Sequence, residues 1–591
     1  MEVVAESSSA SLVLQQEVTE QRRNENRVCK VLDELRQGGF FCDASIRCGN
    51  KTFKVQRNVM STCSPYFRAL FTYDENPGEL PKKKKRAMSE INIQDMSPEI
   101  MEIVIRYAYT RDVPSDMSTV VQIIQAADRF QIEGLLKTCC HALVQEISLE
   151  TCMQIRSLAR AFPFSCCAIK VAADKFLLEN FTWIYCFSAD FLQLDTDDLC
   201  DVLANDRLNV RTESIPLDAV CRWVAYDFEH RYTHADRLLR HVRLGLITND
   251  AFFRILNYHK LIAASPAVHS VLLNASRLMG QPEVRGSAQL SVPRLPNDLV
   301  FVFGGSNLGW PLQIVETFDI RSLTWKECSA ADFGPRSYHG TVVLGQVVYI
   351  VGGFDGSDYI NYCCAFYPAF SRWAHVAPMH DKRCYVSVAI LDGYIYALGG
   401  FDGRIRQRSA ERFYPSSNQW TLIQPMLCPR SDGGAATVSG KIYMLGGFNG
   451  QESLSSAECY DPLTNQWTLL QPMRECRSGV GVVAHRGCVY AAGGFNGTRR
   501  LNSVERYDPD EDEWRPLSPM LNARSNFAMT VIEDMLMVVG GYGGRHTTTR
   551  VELFDVYGDR WSISTELSYS RSALSACVVS GLPNVEEYTL R

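Results

Sequence analysis

The sequence predicts a multidomain protein with an α/β domain, then an all-α domain, then an all-β six-bladed propeller. A chain of 591 residues has room for several domains. Residues 26–147 mix short β-rich runs with apolar helical faces, and residues 148–279 keep helical periodicity throughout. Residues 298–591 repeat at a nearly fixed interval with strand-like content, which is typical of a propeller.

The repeat is defined by three residue types that keep register over six copies. Each copy has a Gly-Gly pair, a tryptophan 21 residues later, and an arginine ten or eleven residues after that. The pairs begin at Gly304, Gly352, Gly399, Gly446, Gly493 and Gly540. The tryptophans are Trp325, Trp373, Trp420, Trp467, Trp514 and Trp561, and the arginines are Arg336, Arg383, Arg430, Arg477, Arg524 and Arg571. The copies lie near 299–345, 346–393, 394–440, 441–487, 488–534 and 535–580.

A period of about 47 residues is the size of one four-stranded propeller blade. In the fourth copy we expect strands over 441–445, 457–461, 465–470 and 478–484. The glycines allow close approach of neighbouring strands, and the tryptophans are large enough to pack between blades, so we expect both to be structural. Strand 572–579 is expected to complete the blade that strand 299–303 begins, which closes six blades into a ring without a free edge.

Each copy resembles the kelch repeat. The shared pattern is a strand followed by Gly-Gly, Phe or Tyr, Asp or Asn, and Gly; then Ser-x-Glu-x-Tyr/Phe; and then Trp. Two copies depart from it. The first has Ser306-Asn307-Leu308 in place of Phe-Asp-Gly, and the second has Cys364 where the others have glutamate. We expect locally altered loops at these two places and no lost blade.

The first half of the chain resembles two further domains. Within 26–147 we expect strands at 41–46 and 51–55 and a helix at 64–71. Ser97, followed by proline, predicts the start of a further helix. The runs Cys42-Asp43, 64–68, 107–110 and 126–130 resemble a BTB/POZ domain, although Gln56 stands where that family usually has histidine. The runs 191–194, 206–210, 219–224 and 241–244 within 148–279 resemble a BACK domain. Residues 1–25 are expected to be a disordered leader and 280–297 a linker.

This domain order is similar to the kelch-like family, and the resemblance implies a function. Such proteins are substrate adaptors of cullin-3 ubiquitin ligases, dimerise through the BTB domain and are not enzymes. The family's cullin contact points to Phe71, Tyr73 and Glu75, although the usual hydrophobic-x-Glu triplet is not at its expected position here. The alternative is a dimeric scaffold that needs no cullin, such as an actin-associated kelch protein.

The resemblance also implies where a protein substrate binds. In the family, one face of the ring is lined by the loops after each Gly-Gly and by the turns that carry the six periodic arginines. These loops hold aromatic and basic residues, which are favoured at binding hot spots, and they suggest recognition of an acidic motif. The loop candidates are Phe354, Phe401, Arg404, Arg406, Phe448, Phe495, Arg499, Arg500, Tyr542 and Arg545. The periodic arginines could instead be satisfied by carboxylates within the blades.

Several functional classes find no support in the sequence. No phosphate-cradling loop, metalloprotease motif or nucleophile elbow is present, so we expect neither a cofactor nor a metal. The net charge of −6 does not suggest nucleic-acid binding. No signal peptide or apolar run of membrane-spanning length is visible, so we expect a cytoplasmic protein whose 21 cysteines are reduced. The basic run 82–86 is expected to be a solvated loop insertion or, alternatively, a nuclear localisation signal.

Overall fold

The computed structural model describes residues 30–73, 89–113, 117–162, 166–259, 266–280, 289–329 and 333–590. The chain divides into two compact units, Met1–Leu199 and Cys200–Arg591, which we describe separately. The predicted leader 1–25 and the basic run 82–86 lie outside the described residues.

The first unit contains a three-stranded sheet in which the central strand has one antiparallel and one parallel neighbour. Ala44–Cys48 pairs with Lys51–Val55 in antiparallel fashion and with Ser89–Ile93 in parallel. The first strand begins three residues after its predicted start. Phe41 has a positive φ of 60° and is 79% exposed, so it lies in a turn and cannot continue the strand.

Helices make up most of this unit. Ser97 caps one of them, because its hydroxyl accepts a hydrogen bond from the N–H of Ile100 at 3.3 Å, and Pro98 occupies the first helical position as predicted. After a helix at 30–37, the helices are Arg57–Cys63, Pro65–Tyr73, Pro98–Thr110, Met117–Arg129, Glu133–Gln145, Cys152–Ala161, Cys167–Glu179 and Phe181–Phe187, with a 3-10 turn at Ala189–Gln193. Thr196–Ala204 crosses into the second unit.

The second unit begins with a helical segment that leads into the propeller. Its helices are Ser214–Tyr226, Phe228–Arg231, Ala235–Leu239, Asn249–His259 and Pro266–Gly280, with 3-10 turns at Tyr232–His234, Leu244–Leu246 and Gln289–Ser291. Arg294 is buried and its guanidinium pairs with Glu213 at 2.6 Å. Its Nη1 also donates to the carbonyls of Leu203 and Asn205. The described part of the predicted linker is therefore packed against the helical segment.

The propeller consists of six four-stranded antiparallel sheets, as predicted. From the innermost strand outwards, the first blade is Ser575–Ser580, Asp298–Phe303, Val315–Asp319 and Thr324–Cys328; the second is Gly340–Leu344, Val347–Val351, Cys363–Tyr367 and Arg372–Val376; the third is Ser387–Leu391, Tyr394–Leu398, Ala410–Tyr414 and Gln419–Ile423. The fourth is Gly434–Val438, Lys441–Leu445, Ala457–Asp461 and Gln466–Leu469; the fifth is Gly481–His485, Cys488–Ala492, Val504–Asp508 and Glu513–Leu517; the sixth is Ala528–Ile532, Met535–Val539, Val551–Asp555 and Arg560–Ile563. Short 3-10 turns lie at Pro368–Phe370 and Val585–Tyr588.

The first blade is built from both ends of the repeat region. Ser575–Ser580 pairs with Asp298–Phe303 in antiparallel register, so that Ser575 lies opposite Phe303. The predicted pairing is therefore present. The altered loop of this blade forms a small hairpin, Ser306–Asn307 with Trp310–Pro311, and the blade keeps all four strands.

Glycine and tryptophan have distinct structural roles in each blade. Gly446 has φ of 60°, and a side chain there would place its Cβ 2.4 Å from the carbonyl oxygen of Arg477, so only glycine fits. The indole of Trp467 is buried and donates to the carbonyl of Gln424 at 2.8 Å, which ties the outer strand of one blade to the preceding blade. Five of the six tryptophans combine burial with a hydrogen bond of this kind: Trp325, Trp420, Trp467, Trp514 and Trp561.

Candidate functional site on the propeller loops

The turns that follow the Gly-Gly pairs share one geometry and form what we call the loop face. In the second to sixth repeats the aromatic residue after the pair forms two bridges. One is to the residue after the periodic arginine, as Phe401 does with Cys384, and the other is to the residue five positions later, as Phe401 does with Arg406. The first repeat has Ser306 at this position, bridged to Ser572. Asp402 closes the turn because its carboxylate accepts the N–H groups of Arg404 and Ile405 at 2.7 and 2.8 Å. The turn therefore holds its fifth position in a fixed orientation.

In the third repeat this fifth position is Arg406, and its guanidinium lies between aromatic rings. Its Cζ lies 3.8 Å from the ring centroid of Phe401, 5.5 Å from that of Phe448 and 5.8 Å from that of Tyr385. Its Nε and Nη1 are buried and have no hydrogen-bond partner among the described residues. Stacking thus orients a cation whose hydrogen-bonding capacity remains unused.

The fifth repeat has the same arrangement at Arg500. The Cζ of Arg500 lies 4.5 Å from the ring centroid of Phe495 and 4.9 Å from that of Tyr542 in the next repeat. Its Nε is buried and has no partner within the described ranges. Arg406 and Arg500 are thus two rigid guanidinium groups on one face, and planar guanidinium groups suit recognition of carboxylates.

Three more predicted arginines lie at the loop tips. Arg404 and Arg545 are exposed, and neither forms an ion pair in the part of the chain that the structure describes. Arg499 is 75% exposed at its side chain and lies 3.8 Å from Glu475. The loop-tip cations lie in the third, fifth and sixth repeats, whereas the second and fourth repeats carry exposed Asp358 and Glu452.

The six periodic arginines do not lie on the loop face, contrary to the prediction that they contact substrate. All six are at most 2% exposed. Five form ion pairs with glutamates inside the blades: Arg383 with Glu411, Arg430 with Glu458, Arg477 with Glu505, Arg524 with Glu552 and Arg571 with Glu316. A charge taken out of water needs such a partner, and the blade carboxylate supplies it. Arg336 is buried like the others but faces Cys364.

A ring of backbone hydrogen bonds surrounds the propeller axis, two residues after each periodic arginine. The N–H at each position donates to the carbonyl of the equivalent residue in the preceding repeat, at 2.7–3.1 Å, and the sixth bond closes the circle. All six residues have φ between 53° and 60°. They are Tyr338, Tyr385, Asp432, Gly479, Asn526 and Ala573. We call this the axial ring; the innermost strands of all six blades line a channel of about 520 Å³.

Asp432 is the acidic residue of the axial ring and lies near Arg406. Its carboxylate accepts a hydrogen bond from the hydroxyl of Ser431 at 3.3 Å. Burial raises the pKa of Asp432 to about 7, and Arg406 and Ser431 only partly oppose this. The carboxyl therefore titrates near neutral pH, next to one of the two stacked arginines.

The axial ring has no recognisable signature of residue type in the sequence. Its members differ in chemistry, from alanine to tyrosine, so no residue type reveals them. The constant offset of two residues from each periodic arginine was the available signal. It was missed because the arginines themselves were interpreted as the binding residues.

The residues predicted to contact cullin lie in the first unit. Phe71 is 5% exposed, and its ring lies 6.2 Å from that of Phe67, so its side chain belongs to the core and offers little surface to a partner. Tyr73 ends the helix Pro65–Tyr73. Glu75 lies outside the described residues.

The described ranges contain neither a membrane-spanning helix nor a cluster of metal-binding side chains. No helix there is long and apolar enough to cross a membrane. Likewise, the described histidine, cysteine and acidic side chains form no cluster of three or more that could hold a metal ion. The described cysteines form no disulfides.

Comparison with known proteins identifies the domains. A BTB/POZ domain matches residues 32–147, and the domain named BTB And C-terminal Kelch (BACK) matches 152–257. The Kelch motif matches 335–380, 382–427, 429–474, 476–521 and 523–568.

Curated relatives match part of the chain. Kelch-like protein 28 of Mus musculus is 32% identical over 330 residues, which is 55% of this chain and 56% of that protein. Kelch-like protein 28 of Homo sapiens is 32% identical over 326 residues, 54% of this chain and 55% of that protein. The match spans little more than half the length of these relatives. The runs 571–575 and 584–588 predict a likeness to kelch-like protein ten, and with it a role in spermatogenesis. The two relatives above do not support that likeness.

Proposed function

We propose, from the BTB-BACK-Kelch architecture of this chain, that it is the substrate-recognition adaptor of a cullin-3 RING ubiquitin ligase. In this proposal the BTB and BACK domains bind cullin-3, the BTB domain forms a homodimer, and the propeller binds a protein substrate. The proposed location is the cytoplasm, where free cysteines such as those described here remain reduced.

The proposal that the propeller binds a substrate rests on the environment of the Arg406 and Arg500 guanidinium groups. Each guanidinium is held by aromatic rings on the loop face and lacks an ion pair within the described residues. By contrast, the loop carboxylate Asp402 is occupied by N–H groups of its own turn. Exposed carboxylates remain at Asp358 and Glu452 in the second and fourth repeats, so the free cationic groups are concentrated in the third, fifth and sixth repeats. There they favour an acidic segment of the substrate.

An adaptor of this kind supplies proximity. Holding a substrate lysine near a ubiquitin-charged enzyme raises its effective concentration, and two propellers in a dimer can bind two sites on one target. No residue of this chain needs to be catalytic in this scheme.

The adaptor proposal is tested with the full chain. Purified protein is immobilised and incubated with cullin-3 at micromolar concentration, and cells expressing the tagged chain are assayed for ubiquitin chains on co-purified proteins. We expect cullin-3 to be retained and ubiquitin chains to be recovered. If cullin-3 is not retained and no ubiquitin chains are recovered, the ligase function is rejected and the cullin-independent scaffold is favoured.

A further inference from the structure

The buried ion pairs of five blades follow one hydrogen-bonding scheme. In the fourth blade, Arg430 pairs with Glu458 and also donates from Nη1 to the carbonyl of Gly446 at 2.7 Å. The other carboxylate oxygen of Glu458 accepts the N–H of Leu427, three residues before the arginine, at 2.7 Å. The equivalent backbone bond occurs at His380, Arg474, Leu521 and Ser568.

The second blade lacks this carboxylate. Cys364 occupies the position of the glutamate, and the side chain of Arg336 lies against its thiol. Arg336 is 2% exposed, and its Nε and Nη1 have no hydrogen-bond partner among the described residues. Its Cζ lies 4.7 Å from the ring centroid of Tyr362, which is itself 37% exposed.

A second polar side chain beside Arg336 is also without a partner. His339 is 5% exposed, and neither ring nitrogen has a hydrogen-bond partner within the described ranges. The other repeats have apolar residues or glycine at this position: Val386, Gly433, Val480, Phe527 and Leu574. Arg336 and His339 thus both have buried nitrogens without a hydrogen-bond partner in the described part of the chain, which indicates that a ligand completes the site.

The carboxylate of Asp355 interacts electrostatically with Arg336 but forms no ion pair with it among the described residues, and it accepts the N–H groups of Ser357 and Asp358, each at 2.8 Å. Cys364 and His339 supply no negative charge. Burial raises the pKa of the Cys364 thiol, although Arg336 opposes the rise, so the thiol is uncharged at pH 7. Burial, together with Arg336 and Arg571, holds the pKa of His339 well below its usual value, so the imidazole is neutral. A guanidinium keeps its charge in proteins, and leaving it buried and unpaired is strongly unfavourable.

We propose that the second blade binds a small inorganic anion, a halide, on Arg336 where the other blades place a glutamate carboxylate. The sulfur of Cys364 takes the place of the γ-carbon of glutamate, so what this blade lacks relative to the others is the carboxylate group alone. A halide carries the missing charge and accepts the hydrogen bonds of the guanidinium. A carboxylate of a bound substrate would have the same chemistry. Experiments without substrate distinguish a halide from such a carboxylate.

Bromide is the direct probe. Crystals of the full chain are soaked in sodium bromide and anomalous diffraction is recorded at the bromine edge. We expect a peak within hydrogen-bonding distance of the Arg336 guanidinium, and no peak there in Cys364→Glu, whose carboxylate takes the place of the ion. A wild-type map without that peak overturns the proposal.

Stability in solution is the second readout. Urea unfolding of the full chain is followed by tryptophan fluorescence in sodium chloride and in sodium gluconate at equal ionic strength. Above the dissociation constant, each tenfold rise in chloride is expected to raise the ratio of folded to unfolded protein about tenfold. Cys364→Ser should keep this dependence, because the ion and not the thiolate supplies the charge, and Cys364→Glu should lose it. Equal stability in the two salts for the wild type, or equal chloride dependence in Cys364→Glu, contradicts the proposal.

Discussion

The propeller contains two sets of arginines that differ in exposure, in ion pairing and in contact with aromatic rings. The periodic set, exemplified by Arg430, is fully buried and paired with a glutamate of its blade. The loop set, exemplified by Arg406, is partly exposed, stacked on aromatic rings and without an ion pair among the described residues. The first set maintains the blades, and the second is available to a ligand.

The difference teaches how to separate fold from function in a repeat protein. Arginine recurs in all six copies at the buried position because every blade needs the same internal ion pair or its substitute. At the fifth position of the loops the residue changes from copy to copy: Tyr359, Arg406, Ser453, Arg500 and Thr547. Recurrence therefore indicates a structural requirement, and variation at a fixed site of the scaffold indicates where specificity is encoded.

The largest expected effect is on stability, from the periodic set. Arg430→Met leaves Glu458 buried without its partner, and we expect a loss of about 3–5 kcal/mol in the free energy of unfolding. Replacing both residues together, Arg430→Met with Glu458→Leu, should cost less than the single change, since no unpaired charge remains. Urea unfolding followed by tryptophan fluorescence measures both. A single variant as stable as the wild type would contradict the structural role.

The loop set should affect binding and leave stability nearly unchanged. We expect Arg406→Ala and Arg500→Ala each to weaken binding of an acidic segment about tenfold to thirtyfold, which corresponds to about 1.4–2 kcal/mol. Arg406→Lys should restore only part of the affinity because lysine keeps the charge but cannot stack or bind a carboxylate in bidentate fashion.

The measurement is a peptide-array or anisotropy titration of the full chain with Asp/Glu-rich peptides and their Asn/Gln counterparts. Arg515→Gln is the matched control, since Arg515 lies on an outer strand and already pairs with Glu511 and Glu513. Wild-type affinity in both loop variants would exclude the acidic-segment proposal.

Asp432 should give an effect on stability that depends on pH. Its pKa is raised to about 7 in the folded protein, against roughly 4 in the unfolded chain, so the unfolded state loses the proton first. Asp432 therefore lowers the free energy of unfolding progressively as the pH rises from about 4 to about 7. Below about pH 4 it is protonated in both states and has no such effect. Asp432→Asn tolerates the same backbone conformation and should gain stability relative to the wild type over this window. Urea midpoints at pH 5 and pH 7.5 measure the difference; a constant difference would refute the assignment.

The smallest effect is expected at the outer surface. Arg515→Gln removes an exposed ion pair, whose Coulomb energy water largely screens. Its unfolding midpoint should match that of the wild type within error. A clear loss of stability would show that outer-strand charges matter as much as the buried pairs.

Much of the fold could be predicted because the blade imposes the same residues six times. The strand predicted at 457–461 is observed as Ala457–Asp461, and the closing pairing of the first blade was foreseen from the placement of two unpaired strands. The errors arose where a local pattern has two physical solutions. Phe41 continues a β-rich run in the sequence, but a left-handed turn places it outside the strand.

The site was harder to predict for a different reason. Arginine is favoured both at binding surfaces and in buried ion pairs, so the residue type alone does not distinguish Arg430 from Arg406. The stacking of Arg406 on Phe448 depends on contact between consecutive repeats, which sequence spacing within one repeat does not show. The axial ring is formed by backbone groups, so side-chain chemistry gives no sign of it.

The closing strand has a consequence for synthesis on the ribosome. Asp298–Phe303 emerges early from the exit tunnel, yet its inner neighbour, Ser575–Ser580, is translated only after all the other blades. During that interval the nascent first blade presents an unsatisfied edge to other chains, a state that favours chaperone binding or mispairing. A stop codon before residue 575 would make this temporary vulnerability permanent.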